Sequence, residues 1–162
     1  MTFILETIKI ADGIKEQFDE YYRYLQSVKT IIPFSTFEFA MANWHYNPSA
    51  HNCPHDSWLE TFIINEQPSL EHPEDRDIEI QLHLLGAYQD GHIELIYKKV
   101  KSYCLSLPAK ITMPPFKAGH GDWLIDEIRL SNQKLVLHEI VFSTGSNWII
   151  ECEDIIYKWM PC

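Results

Sequence analysis

The sequence predicts an α+β fold: a mostly antiparallel β-sheet or sandwich of about seven or eight strands with two N-terminal helices. Three observations carry that expectation. Ile78, Ile80, Leu82 and Leu84 alternate with Asp77, Glu79, Gln81 and His83, the two-residue period of a strand with one buried and one wet face. Short, closely spaced segments of the same kind follow it through the C-terminal half, separated by turn-forming residues. Nearer the N-terminus, apolar residues recur at helical spacing instead.

Thr2 to Ile10 is β-branched and apolar and stops at the turn signal Asp12-Gly13, which predicts a strand. Ile14, Phe18, Tyr21, Leu25 and Val28 then share one helical face, in a helix expected to run to about Ile31 before Pro33. Ser35 followed by Glu38, with Phe34 and Phe39 placed as a hydrophobic staple, predicts a second short helix from Thr36 to about His45. Phe37, Phe39 and Met41 also alternate as in a strand, and the capping box decides for helix.

The period returns to two from Trp58 to Ile64, and after a polar, Pro-containing stretch to Asp75 comes the strand through Leu84. Gln89-Asp90-Gly91 supplies a hairpin turn into His92 to Tyr97, and a further strand is expected from Val100 to Leu107. Pro108, Pro114, Pro115, Gly119 and Gly121 mark a long loop. Three strands then read Trp123 to Leu130, Leu135 to Phe142 and Trp148 to Trp159. Turns at Asn132-Gln133 and Thr144-Gly145-Ser146 join them as a meander, and Glu153-Asp154 breaks the last alternation, where a bulge is expected. Nothing divides the chain by composition or repeat, so residues 1–162 are expected to form one domain.

Thirteen Lys and Arg against 23 Asp and Glu leave a formal charge of −10, which repels nucleic acid and anionic membrane surfaces and attracts a basic protein. The opening residues lack the basic start of a signal peptide, and no apolar run reaches the roughly 18 residues of a membrane span. Cys53, Cys104, Cys152 and Cys162 form no CxxC pair and read as reduced thiols, so a cytoplasmic location is expected.

Proton-active and metal-binding side chains concentrate between His45 and Asp56. Were His51 to His55 extended, His51, Cys53 and His55 would point to one side and, with Asp56 or His45, could ligate a zinc ion that polarises water for hydrolysis. The same loop, rich in Pro and Asn, suits solvated histidines that cap nearby backbone. His120 and Asp122, between Gly119 and Gly121, could act as a base and its orienter or simply form a turn. A two-residue turn after Leu130 would set Glu127 opposite His138. Glu127, Glu139, Glu151, Glu153 and Asp154 make the last strands acidic, as a face for a basic partner or as a solvated sheet surface.

His55-Asp56-Ser57-Trp58-Leu59-Glu60, Leu84 to Glu94 and Trp148 to Ile155 resemble segments of small uncharacterised bacterial proteins, over about residues 40 to 160. The strand order also resembles that of β-rich immunity proteins that neutralise toxins; no site residue follows from either likeness. Phe3 to Gly13 is similar to the opening of branched-chain aminotransferase-like pyridoxal-phosphate enzymes. That match stops near Leu25 with no Schiff-base lysine aligned, so it implies a shared strand-turn-helix pattern.

The expectation that results is a non-enzymatic, immunity-like cytoplasmic interaction protein whose acidic sheet face meets a basic protein partner. The alternative is a metal-dependent, zinc-like hydrolase or metal-binding module centred on the His45–Asp56 loop. A third is a small-molecule binder that uses the sheet mouth and its tryptophans.

Overall fold

A computed structural model describes residues 2–5, 14–108 and 119–162. Two helices, α1 (Ile14–Val28) and α2 (Phe34–Met41), precede eight strands: β1 (Trp58–Pro68), β2 (Arg76–Leu85), β3 (Gly91–Lys98), β4 (Ser102–Leu105), β5 (Trp123–Leu130), β6 (Val136–Phe142), β7 (Asn147–Cys152) and β8 (Asp154–Pro161). All pairings are antiparallel, in a first sheet of order β1-β2-β3-β8 and a second of order β4-β7-β6-β5. This is the expected α+β class, two helices beside a β-sandwich.

The alternation read from the sequence places the core between the sheets. Ile80, Leu82, Leu84, Ile93, Leu95 and Tyr97 of the first sheet are buried, as are Ile128, Ile140, Phe142, Trp148 and Ile150 of the second. Phe62 meets Trp148 edge to face across the gap, ring centroids 5.2 Å apart. At the β2–β3 hairpin, Gly86 and Gly91 leave room for the Trp159 indole, which a Cβ at Gly91 would strike.

The expected bulge at Glu153-Asp154 is instead the point where the chain leaves one sheet for the other. Cys152 and Ile155 are both fully buried although three residues apart, so a single strand of period two cannot serve both. The chain therefore turns at Glu153, whose N–H donates to the Lys98 carbonyl, while Lys101 N–H donates to Glu151. Just there the β3–β4 connection also changes sheet, with Lys99 at φ 48°. The two hairpin arms thus form one bent ribbon, β3 and β4 against β8 and β7.

Other expectations need local correction. Phe3 to Leu5 form a bend and a tight helical turn where a strand was expected, and residues 6–10 of that strand and the turn after it lie outside the described residues. The helix at Thr36 begins at Phe34 and ends at Met41, and its capping box does not form. Pro33 occupies the N-cap, while the Ser35 and Thr36 hydroxyls donate to Asp154 at 2.6 and 2.8 Å. A half-buried acceptor on β8 outcompetes the helix's own amides for these hydroxyls.

The β5–β6 register places Glu127 opposite Glu139 and Ile128 opposite His138. The loop holds three residues between Ser131 and Leu135, whose backbones hydrogen-bond at 2.8 Å, and Lys134 takes φ 62° in the left-handed position such loops require. Among the described residues, no helix is long and apolar enough to cross a membrane.

Candidate functional site

Strand β5 ends its sheet, and its outer edge is covered by side chains from the N-terminal half. Tyr21 of α1 accepts from Ile128 N–H at 2.8 Å and donates to Ile128 C=O at 3.0 Å. Tyr24, one turn further along α1, accepts from Leu130 N–H at 2.7 Å, and Tyr46 donates to Asp126 C=O at 3.1 Å. Residues 126, 128 and 130 carry the backbone groups a neighbouring strand would have bonded, and three phenols take its place. Burial pushes the Tyr21 and Tyr46 hydroxyls well above their ordinary pKa, so both remain neutral donors.

The Asp126 side chain points inward from this edge. Its oxygens take His45 Nε2 at 2.9 Å, His138 Nε2 at 2.9 Å and the Trp123 indole N–H at 3.1 Å, with all four residues buried. His45 Nδ1 lies 2.8 Å from the Phe39 carbonyl, so both nitrogens of that ring face acceptors. His138 Nδ1 takes the Tyr97 hydroxyl at 2.9 Å, which joins the first sheet to the second. Burial alone would raise the Asp126 pKa, but the His45 charge and the histidine hydrogen bonds outweigh it and hold the carboxyl well below the usual range. Every ring nitrogen in the cluster is occupied, which suits a clamp between elements better than a base awaiting a substrate.

Next to Asp126 on β5, the Glu127 carboxylate faces the outside of its sheet yet is fully buried. Phe3, Ile4 and Leu5 N–H groups donate to it at 2.9, 2.7 and 3.2 Å, and Arg129 reaches it at 2.7 Å. Burial works against the Arg129 charge, but hydrogen bonds to Glu127 and Glu139 hold its pKa above the ordinary value.

The other acidic residues expected to form a partner face are divided by the fold. Glu139 bonds Arg129 at 2.6 Å, and Glu151, on the same outer face, accepts from Ser102 at 3.1 Å. Glu153 sits at the sheet crossover, 3.6 Å from Lys101 and 3.8 Å from Lys99. Asp154 receives Ser35, Thr36 and the Ile155 amide at the start of α2. Glu127, Glu139 and Glu151 share a face with Arg129 in its midst, and Glu153 and Asp154 lie apart from them.

The His45–Asp56 segment is a string of turns, with Cys53 N–H bonded to Ala50 and Ser57 N–H to Pro54, in place of the extended chain that would align His51, Cys53 and His55. His51 pairs with Asp90 and stacks on Tyr88 at 4.2 Å, while His55 lies 3.1 Å from Asp56. Cys53 is buried and donates its thiol to His45 C=O at 3.0 Å, its pKa pushed up to about 11 by burial. Among the described residues, no three His, Cys, Asp or Glu side chains gather in a metal-binding group. His120 bonds Ser146 at 2.8 Å, and burial lowers its pKa.

The opposite edge strand, β1, differs from β5. Its outer side is bridged to Asp122 at Trp58 and has no strand partner among the described residues beyond that point, and Trp58, Ile63 and Ile64 are 53%, 40% and 41% exposed. Its only charges are Glu60 and Glu66, both exposed.

Sequence reasoning passed over Asp126, His138 as its partner, and the three tyrosines. Its one available signal was a polar residue in the apolar phase of a strand: His138 lies between Val136 and Ile140. Comparison with protein-family models, curated proteins and solved structures finds no match for this chain.

Proposed function

We propose that this protein is a cytoplasmic binding module for a basic protein partner, which adds a strand to the open edge of β1. The observation that carries this reading is the contrast within β1 itself: a long unpaired edge with exposed isoleucines, whose only charges are acidic. Natural sheets usually protect such an edge with lysine, proline, a bulge or a covering element; β1 has a bulge between Leu59 and Thr61 and ends in Pro68, and the stretch between them, Phe62 to Gln67, carries no lysine or proline and is a template for pairing. Strand addition would take its affinity from main-chain hydrogen bonds and its specificity from alternate side chains. Basic residues on the incoming strand would meet Glu60 and Glu66, and the charge of −10 would speed the encounter.

A second copy of the chain fits less well. Antiparallel self-pairing centred on Ile63 sets Glu60 against Glu66 of the other copy at both ends, and like charges directly opposite are unfavourable. The four free cysteines accord with a reducing compartment. A toxin neutralised by an immunity-type protein would be one partner of the required chemistry.

The test is a pull-down from the native cell at low salt with the wild type and a Glu60→Lys, Glu66→Lys, Ile63→Lys variant. A basic protein recovered by the wild type and lost by the variant is the expected result. Recovery of no basic protein, or equal recovery by both, would overturn the reading.

A further inference from the structure

We propose that the groove between α2 and β8 is a binding site for an alkylated ammonium head group, a quaternary ammonium above all. The groove encloses about 470 Å³ and lies at the opposite edge of the first sheet from β1. Its volume falls in the range of small-ligand sites.

Three aromatic rings build its floor. Phe39 stacks on Tyr157 with centroids 5.1 Å apart and planes 10° from parallel, and Trp44 packs on Tyr157 at 4.4 Å. The Tyr157 hydroxyl donates to the Asn52 carbonyl at 2.6 Å, which fixes the ring, and burial raises its pKa so that the phenol stays neutral. Trp44 and Tyr157 are each half-buried, whereas Phe39, stacked on both Tyr157 and His45, is buried. Ile156 and Ala42 add apolar wall suited to the methyl groups of an alkylated amine.

Glu38 is the one charged residue in the groove's lining among the described residues, and the His45 ring, stacked behind Phe39 at 4.3 Å, is paired with Asp126. Glu38 lies exposed at the lip and has no ion-pair partner among the described residues. Ser35, also in the lining, donates to Asp154, whose hydrogen-bond partners Ser35, Thr36 and Ile155 N–H are all neutral. Among the described residues, no Lys or Arg lines the groove. The cations nearby are engaged elsewhere: Lys158 bonds Glu94 at 2.7 Å, and Lys29 lies over Phe37, 5.2 Å from its ring centroid, outside the groove. Aromatic faces carry negative potential, so rings next to a carboxylate that lacks a cationic partner, Glu38, favour a cation, and the apolar walls favour one whose charge is shielded by carbon. A hydrated metal ion has no use for these rings, and an anion would meet the carboxylates.

The experiment titrates the protein with choline at constant ionic strength, and in parallel with its uncharged carbon isostere, 3,3-dimethylbutan-1-ol. Two-dimensional nitrogen NMR follows the Trp44 indole and the backbone amides of α2. The expected result is saturable choline shifts at Trp44 and α2, with the isostere at least about tenfold weaker, and about threefold to tenfold weaker choline binding in Glu38→Gln. Trp44→Leu should abolish the shifts on α2; Glu38→Gln is a surface change, so it keeps the test intact if the tryptophan variant fails to fold. Equal binding of the isostere, absence of saturable shifts, or choline binding indifferent to Glu38→Gln would overturn the proposal. Because the groove and β1 are at different edges, either outcome leaves the partner reading to its own test.

Discussion

Strands β5 and β1 each end a sheet, yet the molecule treats them oppositely. Along β5, three tyrosine hydroxyls and the Glu127 cradle satisfy the backbone of both the strand and the N-terminal residues laid against it. Along β1, the edge beyond the Trp58–Asp122 bridge faces outward with Ile63 and Ile64 half in water. The difference shows that this chain has the means to close a sheet edge and uses them at β5 but not along β1. Unpaired backbone is tolerated where water can reach it and becomes costly where helices would bury it, which is why the phenols gather at β5.

The comparison breaks most severely at Asp126, beneath the closed edge. Asp126→Ala strands the donors of His45, His138 and Trp123 in the interior and should cost about 3–5 kcal/mol in urea unfolding. A loss under about 1 kcal/mol would mean that the cluster contributes little. Acid should act through the same group. The native carboxyl has a depressed pKa, so its stabilisation is complete above the unfolded value of about 4 and is lost as pH falls below it, by up to roughly 1.4 kcal/mol per pH unit. Urea midpoints measured from pH 5 to 2 should show that fall, and Asp126→Asn should flatten it.

Tyr21→Phe removes a hydroxyl that serves both backbone groups of Ile128 and should cost about 1–3 kcal/mol, with faster hydrogen exchange at the Ile128 amide. At the open edge, Ile63→Lys should change stability by no more than about 0.5 kcal/mol, because the side chain already meets water. A loss above about 2 kcal/mol there would show that the fold itself depends on β1's exposed residues, and the contrast between the edges would disappear.

The period of two made the strands legible, because strand side chains report burial residue by residue. Ile78 to Leu84 needed nothing beyond local pattern. What escaped was settled at a distance. Ser35 had every local feature of an N-cap, but Asp154, 119 residues later, takes its hydroxyl. The jump from Cys152 to Ile155 was visible as a broken alternation; that it carries the chain into another sheet depends on β3 and β4 bending beside it. The Glu127–His138 pairing failed by one position because Lys134 occupies a left-handed conformation that its sequence does not announce. The His-rich segment drew attention by density, whereas only His45 of it joins the buried cluster, together with residues from three separate strands. Chemistry assembled across 93 positions, from His45 to His138, leaves almost no trace in any short window.

The bent ribbon bears on how the protein is made. The outer side of β3 and the whole of β4 pair only with residues 147–161, so neither the β3–β8 nor the β4–β7 pairing exists until the ribosome has released these residues. Contacts of such long sequence separation close slowly. During synthesis β1, β2 and β3 emerge as a meander with its inner face uncovered and both flanks unpaired, a nascent species suited to a holding chaperone.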